Sequence, residues 1–450
     1  MNDTIAAIST ALGVGGISII RVSGPESIEI VNKITKMKRI LKASSHTISY
    51  DYIIDNDKIV DEVLITVMRA PKTFTCEDVV EINAHGSIAT TNYILKLLLN
   101  NGCRLSEPGE FTKRAFLNGR IDLMQAESVM DLINSKTEKS RSLAINQLDG
   151  KVSNMIRNLR DEIIQIVSNI EVNIDYPEYE DIEIITNEKI LPNLYNLEKK
   201  LEKILTDSKD GILIKDGIKT SIIGKPNVGK SSLLNKLINE DKAIVTDIEG
   251  TTRDIVEGKI SLDGILLNII DTAGIRETNN LVESIGVKKS LELIENSDLI
   301  LYVLSNNDKI NINELQILEK IREKNYIVVV NKCDLASNID LPAGIKNIVY
   351  ISTLENQGIE ELKEKIKEIY NLGNIETENM TYLSNARSIS LVEKALNSLK
   401  EVIKGINKNM PIDMVEIDLK EVWNTLGEII GETYEEELID QLFSRFCLGK

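Results

Sequence analysis

Residues Ile218 to Ser232 read IKTSIIGKPNVGKSS, and no other stretch constrains the fold so tightly. An apolar run ending in Ile222 and Ile223 meets Gly224, then Asn227-Val228-Gly229-Lys230-Ser231-Ser232, then Leu233 to Leu237, which suits a helix. G-x-x-x-x-G-K-S between a strand signal and a helix signal is a phosphate-binding loop. Its glycines let successive N–H groups converge on phosphate oxygens, and the helix N-terminus adds partial positive charge. Lys230 reaches the outer phosphates, and the Ser231 hydroxyl can complete a Mg²⁺ shell.

Two more motifs follow in order. Asp271-Thr272-Ala273-Gly274 comes directly after the buried-strand signal Ile265 to Ile270. An Asp there can hold Mg²⁺ through water, and the Gly274 N–H can meet a γ-phosphate. Ile327 to Val330 then runs into Asn331-Lys332-Cys333-Asp334. A carboxylate at that strand end accepts from both the ring N–H and the exocyclic amine of guanine, a donor pair adenine lacks. Three motifs at three strand ends read as a GTP-binding domain.

How such a domain would hydrolyse its nucleotide is less direct. Small GTPases commonly follow the second motif with Gln to orient water, but Ile275 stands here and makes no hydrogen bond. Another group must act. The loop Thr246-Asp247-Ile248-Glu249-Gly250-Thr251-Thr252-Arg253-Asp254 places Thr252 for Mg²⁺. Asn227 and carbonyls of this loop can hold a monovalent cation against the β- and γ-phosphates, charge that an arginine finger otherwise supplies. Arg253 and Arg276 are the rival fingers. Hydrolysis indifferent to exchanging K⁺ for Na⁺ would exclude the cation.

Charge narrows the partners. Lys and Arg number 53 against 70 Asp and Glu, a net −17, so any RNA contact must rest on a local basic patch or on a partner. Cys76, Cys103, Cys333 and Cys447 form no C-x-x-C pair, and His46 and His85 are the only histidines, which argues against a disulfide framework or zinc site. No segment is apolar enough to span a membrane, and Met1-Asn2-Asp3-Thr4 opens without a signal peptide. The expectation is a cytoplasmic protein.

The first hundred-odd residues read as α/β. Strand signals at Ile17 to Val22, Val60 to Val67 and Val79 to Ile82 alternate with helical pieces at Ser27 to Ile34 and Ile88 to Leu99, and Ile54 to Lys58 suggests a hairpin. Gly13 to Gly16 precedes a strand and reads as a turn; His85 reads as a strand-end polar residue. From about Gly109 the pattern turns helical. Leu148, Val152, Met155, Leu159, Ile163, Ile166 and Ile170 make one apolar stripe, and another helix carries Leu194, Leu197, Leu201 and Ile204. Helical periodicity resumes with Leu391, Ala395, Leu399 and Val402, then Ile412 to Ile430. The fold class expected is α/β plus all-α, with a P-loop, Ras-like GTPase domain inserted in a helical domain. Its boundaries are 1–118 (α/β), 119–210 (first helical half), 211–372 (GTPase) and 373–450 (second helical half).

Five stretches resemble the bacterial tRNA-modification GTPase family MnmE (TrmE). They are Ile19 to Gly24, Glu77 to Glu81, Pro108 to Arg120 (PGEFTKRAFLNGR), Gly250 to Asp254, and the terminal Phe446-Cys447-Leu448-Gly449-Lys450. The resemblance implies a homodimer joined through N-terminal domains that bind a tetrahydrofolate derivative, 5-formyl- or methylene-tetrahydrofolate. It implies work with an FAD- and NADH-dependent partner (MnmG/GidA-like), in a hetero-oligomer, to place a carboxymethylaminomethyl-type group on a tRNA wobble uridine. By matching motifs, folate falls to Arg21, Glu81, Arg120 and Lys450; K⁺ to Asn227, Thr246, Ile248 and Thr251; Mg²⁺ to Ser231 and Thr252. Glu283 matches the water-positioning glutamate, answering Ile275, and Cys447 matches an essential thiol. Ser352-Thr353 occupies the motif that meets guanine from the far side, where relatives usually have Ser-Ala. Leu448 stands for the usual Ile, and Ala84 to Ser87 is less glycine-rich than is typical. A ribosome-assembly GTPase is the alternative, although such proteins usually append a basic RNA-binding module; a non-catalytic nucleotide switch is a second.

Overall fold

The computed structural model describes residues 3–175, 187–240, 258–270, 291–372, 381–408, 411–434 and 436–449. They cluster into two compact units: Met1–Met130 with Leu148–Ile190 and Glu401–Lys450, and Asp131–Gln147 with Leu191–Lys400.

In the first unit, β1 (Ile5–Ile8), β2 (Gly15–Ser23), β3 (Thr47–Asp55), β4 (Lys58–Met68), β5 (Val79–Gly86) and β6 (Arg104–Leu105) form a sheet in the order β3-β4-β5-β2-β1-β6. Alternation decides its faces. Ile20, Val22, Ile53, Ile65, Val67, Val80 and Ile82 point into a core shared with the helices Ser27–Ile34 and Ile88–Asn100. The hairpin forms where Asp55 pairs Lys58, its tip held by Asn56 (φ 45°) and Asp57 (φ 67°), residue types that tolerate the left-handed region a tight hairpin needs. The expected glycine turn is only half one: Gly15 and Gly16 already belong to β2, whose register shifts between Gly15 and Ser18. A Cβ on Gly86 would stand 2.3 Å from the Gly15 carbonyl oxygen, so the two backbones touch only because a side chain is missing.

The helical stripe forms as Lys151–Asp175, with two corrections. Leu148 ends the preceding helix Glu138–Leu148, because Gly150 (φ 81°) interrupts the chain, and Ile156 takes the buried position given to Met155. The stripe packs against Ile412–Ile430, which comes back after the whole nucleotide-binding segment. There the Arg160 guanidinium lies 3.9 Å from the Trp423 ring centroid and also bonds Glu432.

The second unit holds β7 (Ile218–Ile223), β8 (Gly258–Leu262), β9 (Ile265–Ile270), β10 (Leu299–Ser305), β11 (Asn325–Asn331) and β12 (Ile348–Tyr350), ordered β12-β11-β10-β7-β9-β8. All neighbours are parallel except β8 with β9. Leu299, Leu301 and Val303 enter one core while Ile300, Tyr302 and Leu304 enter another, so β10 is buried on both faces, as its unbroken apolar run requires. The helix Asn187–Asp216 buries Leu194, Leu197, Leu201 and Ile204 as expected. Among the described residues no helix is long and apolar enough to cross a membrane.

Candidate functional site

The phosphate loop links the end of β7 to the helix Lys230–Glu240, the junction its sequence demands. Its backbone needs unusual conformers at Gly224 (φ 147°), Asn227 (φ 63°) and Gly229 (φ 102°). Asparagine tolerates the left-handed region, and the glycines have no Cβ to clash. The Lys230 amine donates to the carbonyls of Gly224 (2.9 Å) and Lys225 (2.7 Å), lying across the loop where outer phosphates would sit. Burial pushes this amine below the ordinary lysine range, which an incoming phosphate would reverse by restoring a counter-charge. Lys225 pairs with Glu314 at 2.8 Å, and the same carboxylate accepts from the Asn311 N–H at the start of the helix Ile312–Ile321.

The guanine motif is bound to this loop. The Asn331 amide, 1% exposed, donates to the Val228 carbonyl at 2.8 Å and accepts from the Thr353 N–H at 3.1 Å. The Ser352 hydroxyl donates to the Asp334 carboxylate at 2.5 Å, fixing the group that would read guanine. Lys332 sits between them in the left-handed region (φ 65°). Asn227, Val228, Gly229, Lys230, Asn331, Asp334, Ser352 and Thr353 therefore converge, and Ser231 and Ser232 open the helix behind them. Thr246, Asp247, Ile248, Glu249, Gly250, Thr251, Thr252, Asp271, Thr272, Ala273, Gly274 and Glu283 lie outside the described residues, as do Arg253 and Arg276.

A Cβ on Gly229 would stand 2.0 Å from the Asn331 side-chain nitrogen. Gly229→Ala must therefore expel that amide, costing about 1–3 kcal/mol for the orphaned buried bond and a similar amount for backbone strain. GTP affinity is expected to fall roughly 30-fold or more, a loss of about 2 kcal/mol. Titration with a fluorescent GTP analogue measures this, and binding within threefold of wild type would contradict it.

In the first unit, Arg21 and Glu81 are register partners on β2 and β5, with Arg21 Nε 2.8 Å from the Glu81 carboxylate. Two guanidinium groups lie near the Phe74 ring, Arg120 at 4.9 Å and Arg21 at 5.9 Å from its centroid, with the Phe111 centroid 5.7 Å from Arg21. Sequence reasoning missed Phe74, which carries no motif of its own and is found only through its neighbours in space.

The chain end is drawn to the same unit. The Gly109 N–H donates to the Cys447 carbonyl at 3.3 Å, and the Ser9 hydroxyl donates to the Gly449 carbonyl at 3.1 Å. Gly109 (φ 69°) and Gly449 (φ 82°) allow these approaches: a Cβ on Gly109 would meet the Phe443 carbonyl at 2.6 Å, one on Gly449 the Ile8 carbonyl at 2.4 Å. Phe446 is buried against Phe443, and Cys447 is exposed. Lys450 lies outside the described residues. His85, exposed, bonds Asp61 at 2.7 Å, and this carboxylate raises its pKa above the ordinary histidine value.

A phosphate loop at a parallel strand end, tied through Asn331 to an aspartate held by serine, defines a P-loop GTPase. The family profile described as GTP-binding protein TrmE N-terminus matches residues 4–120, and that described as MnmE helical domain matches residues 123–447. The tRNA modification GTPase MnmE of Lactococcus lactis subsp. lactis (strain IL1403) is 52% identical over 448 residues, covering 100% of this chain and 98% of its own. The protein of the same name from Bacillus licheniformis (strain ATCC 14580) is 50% identical over 458 residues, covering 100% of both. The solved G domain of the T. maritima FeoB iron transporter is 30% identical, covering 34% of this chain and 98% of its own, with a TM-score of 0.26. The chain belongs to the MnmE family of tRNA-modification GTPases.

Proposed function

We propose that this chain is a potassium-stimulated GTP hydrolase acting in tRNA modification. With an FAD- and NADH-dependent partner of the MnmG type, it installs a carboxymethylaminomethyl-type group on the wobble uridine of certain tRNAs in the cytoplasm. The observation that carries this reading is relatedness along the whole chain: relatives named tRNA modification GTPase share half its residues from end to end.

In this reading Lys230 neutralises the outer phosphates and Asp334 selects guanine. Ser231 and Thr252 hold Mg²⁺; Asn227, Thr246, Ile248 and Thr251 hold K⁺; Glu283 orients water in place of Ile275. The metal ions supply transition-state charge when bound. The donors near Phe74 suit a tetrahydrofolate derivative, since guanidinium groups match its carboxylates and Glu81 its pterin amine. Bound folate supplies the one-carbon unit; Arg21, Glu81, Arg120 and Lys450 orient it. The division into 1–118, 119–210, 211–372 and 373–450 belongs to the same proposal.

A homodimer through the first domain is supported by apolar side chains on the outer sheet face. Ile48 and Tyr50 on β3 are 66% and 46% exposed, and Leu64, opposite Tyr50 on β4, is 46% exposed.

The test is mass spectrometry of tRNA nucleosides from cells lacking the chain. The aminomethyl-type wobble-uridine modification is expected to disappear and to return with the wild-type gene. An unchanged nucleoside profile with disturbed ribosome assembly would refute the reading.

A further inference from the structure

A carboxylate that reads guanine must hold one orientation, because its two bonds, to the ring N–H and to the exocyclic amine, are parallel. The Ser352 hydroxyl fixes the Asp334 carboxylate itself. The backbone that carries Asp334 is gripped by Asn306, a residue of no sequence motif that stands at the end of β10. We propose that Asn306 is a positioning residue for guanine specificity, an inference that rests on the reading of Asp334 as the guanine contact.

The sheet explains why such a grip is needed. β10 and β11 stay in parallel register until Ser305 meets Asn331, and the Asn306 N–H extends the ladder by one bond, to the Asn331 carbonyl at 2.8 Å. Beyond that bond the chain leaves the sheet. Lys332 turns it through the left-handed region (φ 65°), and the Cys333 N–H donates to the Ile351 carbonyl at 3.1 Å. The Leu335 N–H then donates back to the Lys332 carbonyl at 3.0 Å, closing a turn whose two central residues are Cys333 and Asp334. A lysine in the left-handed region is strained, and it persists where the surrounding structure over-determines it.

Asn306 holds this turn from both sides. Its side-chain amide donates to the Leu335 carbonyl at 3.0 Å, so one residue bonds the backbone before Asp334, at Asn331, and after it, at Leu335. Its own carbonyl accepts the N–H groups of Asn338 (2.8 Å) and Ile339 (3.1 Å), drawing the outgoing chain back to the end of β10. At 5% exposure, little water competes for the Asn306 amide. The phosphate loop has anchors of its own, from Lys230 to the Gly224 and Lys225 carbonyls and from Asn331 to the Val228 carbonyl. The Asn306 side chain therefore bears on which base is accepted more than on how phosphates are held.

The experiment titrates the full chain with GTP and with ITP, whose base lacks the exocyclic amine, each in competition with a fluorescent GDP analogue. A bond from that amine to a carboxylate should favour GTP over ITP roughly tenfold or more in the wild type. Asn306→Ala keeps the backbone bonds and removes the side-chain donor, and should lower this ratio about threefold or more. A ratio of affinities is read on folded protein, so a loss of folded fraction, which a merely structural role would cause, does not move it. Asn306→Asp keeps the side chain's shape, replaces the donor with an acceptor, and should lower the ratio at least as far. With Asp334→Ala already in place, Asn306→Ala should leave the ratio where it is; a further fall would show that Asn306 acts by another route and overturn the proposal. A ratio that stays within about threefold of wild type in either Asn306 variant, while Asp334→Ala abolishes the preference, would overturn the role of Asn306 alone. A preference that survives Asp334→Ala would overturn the guanine reading, and this inference with it.

Discussion

Cys447→Ser is expected to abolish wobble-uridine modification while leaving GTP hydrolysis at the wild-type rate. The thiol is exposed, and what docks the chain end is other atoms: the Cys447 carbonyl on Gly109, the Gly449 carbonyl on Ser9, and the Phe446 ring on Phe443. Serine keeps all of these, so the change in stability should stay within about 0.5 kcal/mol, as for other surface substitutions. Serine has nearly the same size but no thiolate, and the reactive form of cysteine is the thiolate. The nucleotide loops belong to the other unit. Nucleoside mass spectrometry and a phosphate-release assay on the same variant separate the outcomes. Full modification by Cys447→Ser would remove the thiol from the mechanism; loss of both activities would point to a folding defect instead.

Arg114→Met is expected to destabilise the first unit by about 3 kcal/mol, the usual consequence of breaking a buried ion pair, since Glu77 loses its cation and Glu110 one of its two. The Arg114 side chain is fully buried and bonds Asp3, Glu77 and Glu110, while Arg104 binds Asp3 and Glu110 from the other side. The Ser23 hydroxyl also donates to Glu77. This network explains why Glu110 and Arg114 stand four residues apart in PGEFTKRA: one helical turn brings both to the same knot. Chemical denaturation measures the loss, and a change under 1 kcal/mol would show the network to be dispensable.

The same network gives stability a pH dependence of definite sign. Burial opposes ionisation of Glu110, but hydrogen bonds from Arg104, the Glu107 N–H and Arg114 outweigh it and hold the carboxyl below its ordinary 4.5. A carboxyl depressed in the folded state stabilises fully above its unfolded value and loses that contribution as pH falls through the folded one. The first unit should therefore hold its stability down to about pH 4.5 and weaken below it. Arg114→Met should flatten that acid limb.

Local spacing made much of the architecture legible. Ser27–Ile34, Ile265–Ile270 and Ile412–Ile430 form within the limits their periodicity sets, because burial of one stripe or one run depends on neighbours a few residues away. The errors fall where a local rule met another. Gly150 cut Leu148 from its stripe, and a register shift drew Gly15 into a strand. The guanine motif could be named in sequence, but not the bonds that join Asn331 to Val228 and Asp334 to Ser352.

The sequence by itself determined the chemistry of the phosphate loop, since its groups lie within one turn of chain and their spacing is the site. Only the tertiary structure decided that Phe74 meets both Arg21 and Arg120, that Arg114 reaches back to Asp3, and that the chain end meets Ser9 across 440 residues. Such contacts depend on strand order and on the closure of long loops, and neither is encoded in the spacing of any single segment.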